Sequence, residues 1–276
     1  MSELWYSEFY TENLKFTFRV KEVLLKKQTK FQTLEILDTY EFGRMMLLDG
    51  KVMLTEADEF IYHEMMVHPA VLLHPSPKRV LIIGGGDGGI VRELVKYKEI
   101  ERIVLVDIDA EVVEASKRFL PQLSSGLDDP RVEIRIEEGS RFVREEKRKF
   151  DIVYIDSTDP VGPGPIGPAE TLITPEFLKS VKAIMREEGI YVAQSESPVY
   201  QREYLKNYIE KLKKLFNTVK PYFIMVPSFS GLWSITFASS SISPYGKLRE
   251  SPLSLRYFTP EILKASFQFG EAYLRD

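Results

Sequence analysis

The chain has 276 residues, no cysteine and three histidines, and its 41 acidic against 37 basic side chains give a net charge of −4. The missing cysteines exclude disulfides and thiolate chemistry, three histidines are too few for a rich metal site, and nucleic-acid binding normally needs a basic surplus. No long apolar run and no basic leader followed by an apolar stretch is present, so we expect no membrane partner and a cytoplasmic protein.

Residues 1–54 predict a small antiparallel β module. Apolar and polar residues alternate from Leu14 to Val20, a period of two that indicates a half-buried strand. Shorter strand-like runs follow at Phe31–Leu37 and Met45–Leu48, and Asp49-Gly50 predicts the turn into Val52–Leu54. We therefore expect a domain boundary near residue 54, with residues 55–276 forming a second, catalytic domain.

The second domain alternates short apolar runs with helical patterns, which predicts an α/β doubly wound sheet. A helix is expected from Thr55 to about Leu73, where His74-Pro75-Ser76-Pro77 breaks it. Five apolar runs predict buried parallel strands at Val80–Ile83, Ile103–Val106, Val132–Ile136, Ile152–Ile155 and Ile190–Ala193. Helices are predicted near 88–97, 109–120, 140–147, 175–187 and 201–215.

Two further strands near the C-terminus, Val219–Val226 and Leu232–Ala238, have no helix between them and predict an antiparallel hairpin. A parallel nucleotide-binding sheet that ends in such a hairpin is typical of S-adenosylmethionine-dependent transferases. A dinucleotide dehydrogenase would need a second βαβαβ half instead. One amphipathic helix is predicted around Pro260–Phe267.

The glycine-rich loop after the first parallel strand predicts a nucleotide site. Gly84, Gly86 and Gly89 satisfy G-x-G-x-x-G between a strand and a helix. Glycine is needed there because a Cβ would block the tight turn and the approach of a ligand to the backbone. Asp107 ends the next strand and is placed to accept hydrogen bonds from both ribose hydroxyls. A purely structural turn is the alternative.

Asp87, inside this loop, narrows the choice of nucleotide. Its carboxylate would repel the pyrophosphate of NAD and the carboxylate of ordinary S-adenosylmethionine. It would attract the free ammonium of decarboxylated S-adenosylmethionine, in an ion pair worth roughly 1–3 kcal/mol. The alternative is that Asp87 only caps the following helix.

More acidic residues follow the strand that ends at Ile155, where ligands bind in open α/β sheets. An alkyl amine with a pKa of about 10.4 is almost wholly protonated at neutral pH, so a transfer to it needs a base. We assign that role to Asp156, with Asp159 orienting the amine, since two close carboxylates raise one pKa. The Gly- and Pro-rich run at 161–170 is interpreted as a gate over the cleft, with a plain surface loop as the alternative.

Several segments together resemble the spermidine synthase family of polyamine aminopropyltransferases. They are Leu48-Asp49-Gly50, Thr55-Glu56-Ala57-Asp58-Glu59-Phe60-Ile61-Tyr62-His63-Glu64, His74-Pro75-Ser76-Pro77, Gly84-Gly85-Gly86-Asp87-Gly88-Gly89, Asp156-Ser157-Thr158-Asp159-Pro160 and Ser230-Gly231-Leu232-Trp233. The resemblance implies a small β module on a methyltransferase-like Rossmann domain that forms dimers or tetramers. It further implies decarboxylated S-adenosylmethionine as co-substrate, a di- or polyamine as second substrate, and no metal or prosthetic group.

The resemblance also implies roles for individual residues. On the donor side it assigns Gln32 to the nucleoside, Asp87 to the aminopropyl ammonium, Asp107 to the ribose, Glu138-Gly139 to the adenine amino group and Pro163 to the thioadenosine pocket. On the acceptor side it places Tyr62 and His63 along the amine channel, Asp156 as proton acceptor, and Ser157, Thr158 and Asp159 in the amine-binding loop. Gln194 and Glu196, after the fifth strand, are placed to meet the distal end of the amine.

Two departures from the family pattern leave alternatives open. The gate carries more than one Gly-Pro pair, so either pair could match the family's and the place of Pro163 is not fixed. Phe229 stands near the position where relatives carry an amine-contacting tyrosine. Putrescine is the first choice of acceptor, with agmatine, cadaverine or a longer amine as alternatives. An ordinary methyltransferase and a non-catalytic nucleotide-binding protein remain as rivals.

Overall fold

The structure is a computed structural model, and it describes residues 3–158, 168–251, 253–269 and 271–275. Five strands form an N-terminal antiparallel sheet in chain order: β1 Leu4–Thr11, β2 Leu14–Gln28, β3 Thr33–Thr39, β4 Arg44–Leu48 and β5 Lys51–Thr55. The sequence did not predict β1, because Glu8 occupies one of its two buried positions and interrupts the apolar alternation.

The first helix, α1 (Glu59–Leu73), joins this sheet to the rest of the protein. It is buried on nearly every side. One apolar core contains Leu47 of β4, Val67 of α1 and Ile82 of the larger sheet, so the two sheets and the helix share their packing. The truncation of a fully buried side chain in such a core to alanine typically costs about 2–5 kcal/mol.

A second sheet has seven strands in the order β11-β12-β10-β9-β6-β7-β8. Their bounds are β6 Arg79–Gly84, β7 Arg102–Asp107, β8 Val132–Ile136, β9 Phe150–Asp156, β10 Met185–Gln194, β11 Thr218–Val226 and β12 Gly231–Ser239. Five neighbouring strands of this sheet pair in parallel, in the order β10, β9, β6, β7 and β8. β12 pairs antiparallel with both β10 and β11. This confirms the predicted doubly wound sheet with a terminal hairpin. The order of the strands along the chain changes direction between β6 and β9, which are themselves parallel.

The remaining helices are α2 Gly89–Leu94, α3 Ala110–Phe119, α4 Gly139–Glu145, α5 Pro175–Ile184, α6 Arg202–Lys213, α7 Pro260–Phe269 and α8 Glu271–Leu274. The predicted helix 175–187 was too long, because Met185 already pairs with Phe150 as the first residue of β10. The tail carries the short α8 besides the one helix predicted there. Among the described residues, no helix has the length and apolar character needed to cross a membrane.

Candidate active site

A pocket opens beside the carboxyl ends of β6 and β9. The strand order of the large sheet reverses between these two strands, and open α/β sheets bind their ligands at such a point. Most of the site residues predicted from the sequence line this pocket: Gln32, Tyr62, His63, Gly84, Gly86, Asp87, Asp107, Glu138, Gly139, Asp156, Ser157, Thr158 and Gln194. Glu196, predicted to meet the far end of the amine, is fully buried and is not part of the lining. Asp159 and Pro163 lie outside the described residues. The pocket therefore brings a residue of the small sheet, Gln32, onto the edge of the large one.

The glycine loop makes room for the protein's own side chains as well as for a ligand. Gly84 has φ +82°, and a Cβ there would lie 2.1 Å from the carbonyl oxygen of Asp156 on the neighbouring strand. A Cβ on Gly89 would lie 2.3 Å from the ring of His63. Any larger residue at either position would therefore displace β9 or α1.

Asp107 is fixed by the loop backbone. Its two oxygens accept from the N–H groups of Gly86 at 2.9 Å and Asp109 at 2.8 Å. Burial raises the pKa of Asp107 to about 6, against the lowering effect of these two bonds. Gln32 donates to the neighbouring Asp109 at 3.2 Å, which ties the small sheet to this corner of the pocket. A carboxylate has about four acceptor positions, so Asp107 can still accept from two hydroxyl groups.

His63 stands between two carboxylates. Its Nδ1 lies 2.6 Å from Glu59 and its Nε2 lies 3.4 Å from Asp87. Burial alone would lower the pKa of His63, but the two carboxylates outweigh it and raise the value to about 10. Asp87 also accepts from the Gly89 N–H at 2.7 Å. Asp87 therefore lines the pocket and also binds the first N–H of α2, but it is not the cap of that helix, whose N-cap residue is Gly88.

Asp156, the last residue of β9, accepts a hydrogen bond from the Tyr62 hydroxyl at 2.5 Å. Burial and, after it, the negative charge of Asp87 raise the pKa of Asp156 to about 7, although His63 and Tyr62 oppose that rise. One ligand atom each from His63, Asp87 and Asp156 lies within 4.8 Å of the others. The two acids are thus close enough to serve one small group of reacting atoms.

Aromatic residues form the opposite wall. The ring of Phe229 meets Tyr62 edge-on at 5.8 Å between centroids and Trp233 at 5.0 Å. Asp58 holds this wall in place, because it accepts from the N–H of Ser228 at 2.7 Å and from its hydroxyl at 2.8 Å. Asp58 is the N-cap residue of α1, but its side chain forms no hydrogen bond to that helix.

Sequence reasoning missed Asp58, Glu59 and Arg92 as parts of the site. Arg92 of α2 binds both oxygens of Glu59, at 2.7 and 2.9 Å. The spacing of Glu59 and His63, four residues apart on a helix, was a visible signal for a pair. No pattern in the sequence connects Asp58 with Ser228, because 170 residues separate them.

Comparison with known proteins identifies the family. The spermine/spermidine synthase domain matches residues 59–245, and the spermidine synthase tetramerisation domain matches residues 4–56. The chain belongs to the spermidine synthase family. This family resemblance, expected from the ordered motifs, is confirmed over almost the whole chain.

Several relatives of this spermidine synthase family member support the assignment. A polyamine aminopropyltransferase of Thermoanaerobacter sp. (strain X514) is 46% identical over 268 residues, which cover 96% of this chain and 95% of the relative. A crystal structure of spermidine synthase in complex with the transition-state analogue AdoDATO superimposes with a TM-score of 0.92 at 38% identity, covering 98% and 94% of the two chains. The spermidine synthase from Thermotoga maritima gives 0.91 at 37% identity, covering 99% and 95%.

Proposed function

We propose that this polyamine aminopropyltransferase transfers the aminopropyl group of decarboxylated S-adenosylmethionine to putrescine, forming spermidine and methylthioadenosine. The observation that carries the proposal is the pair of half-buried carboxylates, Asp87 and Asp156, in one pocket where the strand order of the sheet reverses. Two substrates that each carry a positive charge need two anionic partners close together. A related spermidine synthase has been crystallised with the transition-state analogue AdoDATO, which fits an adenosyl donor in this pocket.

On the donor side, Asp87 is proposed to bind the aminopropyl ammonium and Asp107 the ribose hydroxyls. Gln32 and the pair Glu138-Gly139 line the same pocket and are proposed to hold the nucleoside and its adenine. Asp87 gives the preference for the decarboxylated donor, because the carboxylate of ordinary S-adenosylmethionine would meet a like charge there.

On the acceptor side, Asp156 is proposed to take the proton from the attacking amine. The nitrogen attacks the methylene next to the sulfonium, the new C–N bond forms as the C–S bond breaks, and the sulfur leaves with the bonding pair as methylthioadenosine. The proton lost by nitrogen goes to Asp156, whose raised pKa of about 7 makes it a stronger base than an ordinary aspartate. Positioning and charge supply the remaining acceleration.

The acidic cluster suits ammonium groups better than a metal ion. His63 is the one nitrogen donor in it, and its pKa of about 10 keeps the imidazole protonated. A protonated imidazole donates through both nitrogens and has no lone pair for a metal. The acids that remain bind an ammonium through hydrogen bonds and charge together.

The choice of acceptor depends on the wall around Phe229. This side chain offers no hydroxyl to an amine, and Ser157, Thr158 and Gln194 are the polar groups proposed to meet the chain and its far end. The test is turnover of decarboxylated S-adenosylmethionine with putrescine, agmatine, cadaverine and spermidine, followed as methylthioadenosine. We expect putrescine to give the highest kcat/KM. A different preferred amine would overturn the choice of acceptor, and no methylthioadenosine with any of them would overturn the function.

The pKa of Asp156 predicts the pH dependence. Below about pH 7 the carboxyl group holds a proton in the free enzyme and cannot accept another. We therefore expect kcat/KM to rise about tenfold per pH unit up to about pH 7 and then level off. Initial rates at subsaturating putrescine across that range measure it. An inflection near pH 4, the value of an ordinary aspartate, would contradict the assignment.

A homotetramer is proposed from the N-terminal sheet, since its segment matches a tetramerisation domain. The edge strand β1 exposes Leu4, Trp5 and Phe9, which are 47%, 51% and 51% accessible. Exposed apolar clusters of this kind usually mark interfaces. We expect light scattering to give about four chain masses and Trp5→Glu to give smaller species. Tyr245→Glu, at a more exposed ring outside the N-terminal sheet, is expected to keep the tetramer.

A further inference from the structure

A buried chain of alternating charges leads from the pocket into the space between α1 and α2. Asp87 contacts His63, His63 contacts Glu59, and Glu59 accepts a bidentate pair from Arg92. The side chains of His63 and Glu59 are only 2% and 9% exposed. Neither Glu59 nor Arg92 is among the residues that line the pocket, so neither touches a substrate there.

We propose that Glu59, held by Arg92, is a positioning residue for aminopropyl transfer. It acts through His63, whose positive charge it keeps in place between the carboxylates that receive the substrate amines. The inference rests on the proposed function, because it assigns cation binding to Asp87 and proton transfer to Asp156. It adds to that function the group that sets the charge of the pocket before the substrates arrive.

A charged His63 balances the negative charge of the pocket. Asp87, Asp107 and Asp156 surround one pocket, and each negative charge raises the pKa of its neighbours. His63 opposes this effect, since it lowers the pKa of both Asp87 and Asp156. With a neutral His63, the pKa of both carboxyl groups would rise, and Asp156 would stay protonated to higher pH.

The pair between Glu59 and Arg92 also fixes the geometry of the pocket. Tyr62 and His63 lie on α1, whereas Asp87 belongs to the loop that begins α2. The bidentate pair between Glu59 and Arg92 joins these two helices with two parallel hydrogen bonds, which fix orientation better than one. It therefore fixes the position of Asp87, on the donor side of the pocket, relative to Tyr62 and His63 on the acceptor side.

Glu59 is the group through which His63 can be tested without altering the pocket lining. Charged and titratable groups face His63 from four elements: Glu59 and Tyr62 on α1, Asp87 in the glycine loop, Arg92 on α2 behind Glu59, and Asp156 at the end of β9. Tyr62, Asp87 and Asp156 line the pocket, and Arg92 reaches His63 through Glu59.

The test is Glu59→Gln, which leaves an oxygen to accept from His63 and removes the charge. We expect the acid limb of kcat/KM to move up by about one pH unit and the value at about pH 7 to fall about fivefold, with recovery towards pH 9. The chain has three histidines, so the NMR signals of selectively ¹³C-labelled histidines report on His63 directly. The variant is expected to lose the His63 proton at lower pH than the wild type.

Glu93→Gln is the matched control. Glu93 is an even more deeply buried glutamate whose partners are His68, Arg92 and Lys96, none of which lines the pocket. It binds Arg92 through Nε, so its substitution leaves the two Nη atoms of Arg92 on Glu59. We expect it to lower the melting temperature and to leave the pH profile in place. If Glu59→Gln does not fold, Arg92→Lys, which keeps a cation but not the bidentate pair, is expected to shift the acid limb in the same direction by less.

The inference is overturned if the folded variant keeps both the wild-type acid limb and the wild-type titration of His63. A shift of equal size in Glu93→Gln would overturn it too, because a general loss of buried charge would then explain the effect. If the wild type forms no methylthioadenosine, the proposed function fails, and the NMR titration still decides whether Glu59 holds the charge on His63.

Discussion

Asp156→Asn is expected to lose about 10²- to 10⁴-fold in kcat while it folds normally, which is the range for removal of a general base. The amide keeps an oxygen for the Tyr62 hydroxyl, so the wall of the pocket stays in place. The measurement is single-turnover formation of methylthioadenosine at saturating putrescine and decarboxylated donor. A variant with wild-type kcat would refute the assignment of the base.

The stability of the same variant gives an independent check. The folded pKa of Asp156, about 7, lies above its unfolded value, so the ionised carboxylate destabilises the fold, increasingly as the pH rises from the unfolded to the folded pKa. Asp156→Asn is therefore expected to melt no lower than the wild type at about pH 8. Asp151→Asn, at the other end of β9, is the control. The Asp151 carboxylate accepts from the backbone N–H groups of Lys78 and Arg79 through one oxygen and pairs with Arg186 through the other. The amide has only one acceptor oxygen and no charge, so this variant is expected to lose stability while it keeps turnover.

Asp87→Asn is expected to lower the affinity for decarboxylated S-adenosylmethionine by about 10- to 100-fold, because it removes one charge-assisted ion pair of roughly 1–3 kcal/mol. The amide oxygen still accepts from the Gly89 N–H, so the loop retains its shape. The carboxylate of ordinary S-adenosylmethionine meets a like charge in the wild type. This ligand is therefore expected to bind the variant as tightly as the wild type, or more tightly. Calorimetry with both donors measures the change.

Methylthioadenosine is the control ligand for Asp87→Asn, because it carries the nucleoside and sulfur without the aminopropyl ammonium. Its affinity is expected to stay within about twofold of the wild type. An equal loss for both ligands would show that the substitution disturbs the glycine loop as a whole. A wild-type protein that binds ordinary S-adenosylmethionine as tightly as the decarboxylated donor would favour a methyltransferase instead.

Much of the fold follows from local patterns. The parallel strands and the terminal hairpin were predictable because buried strands form continuous apolar runs between helical segments. The start of β10 at Met185 was not, since the helical pattern of α5 runs on past Ile184 and only pairing with Phe150 ends it. The strand β1 was missed because its inner face carries Glu8, an acid in a position that a local pattern assigns to an apolar residue.

The site was predictable at the ends of strands and less so behind them. Asp107 and Asp156 follow apolar runs, and strand order brings such ends to one edge of the sheet. Contacts between distant segments carry no such signal. The bond from Ser228 to Asp58, which positions Phe229, and the clamp of Arg92 on Glu59 depend on packing that the sequence does not display. The roles of the pocket residues stay predictions until substrates are bound.

The most direct test is a crystal structure of the Asp156→Asn variant with decarboxylated S-adenosylmethionine and putrescine, a pair that this variant is expected to convert about 10²- to 10⁴-fold more slowly than the wild type. The proposal predicts the aminopropyl ammonium within about 3 Å of Asp87 and a putrescine nitrogen between position 156 and the methylene next to the sulfonium. A complex in which Asp87 points to solvent, or in which phosphate groups occupy the acidic cluster, would contradict it.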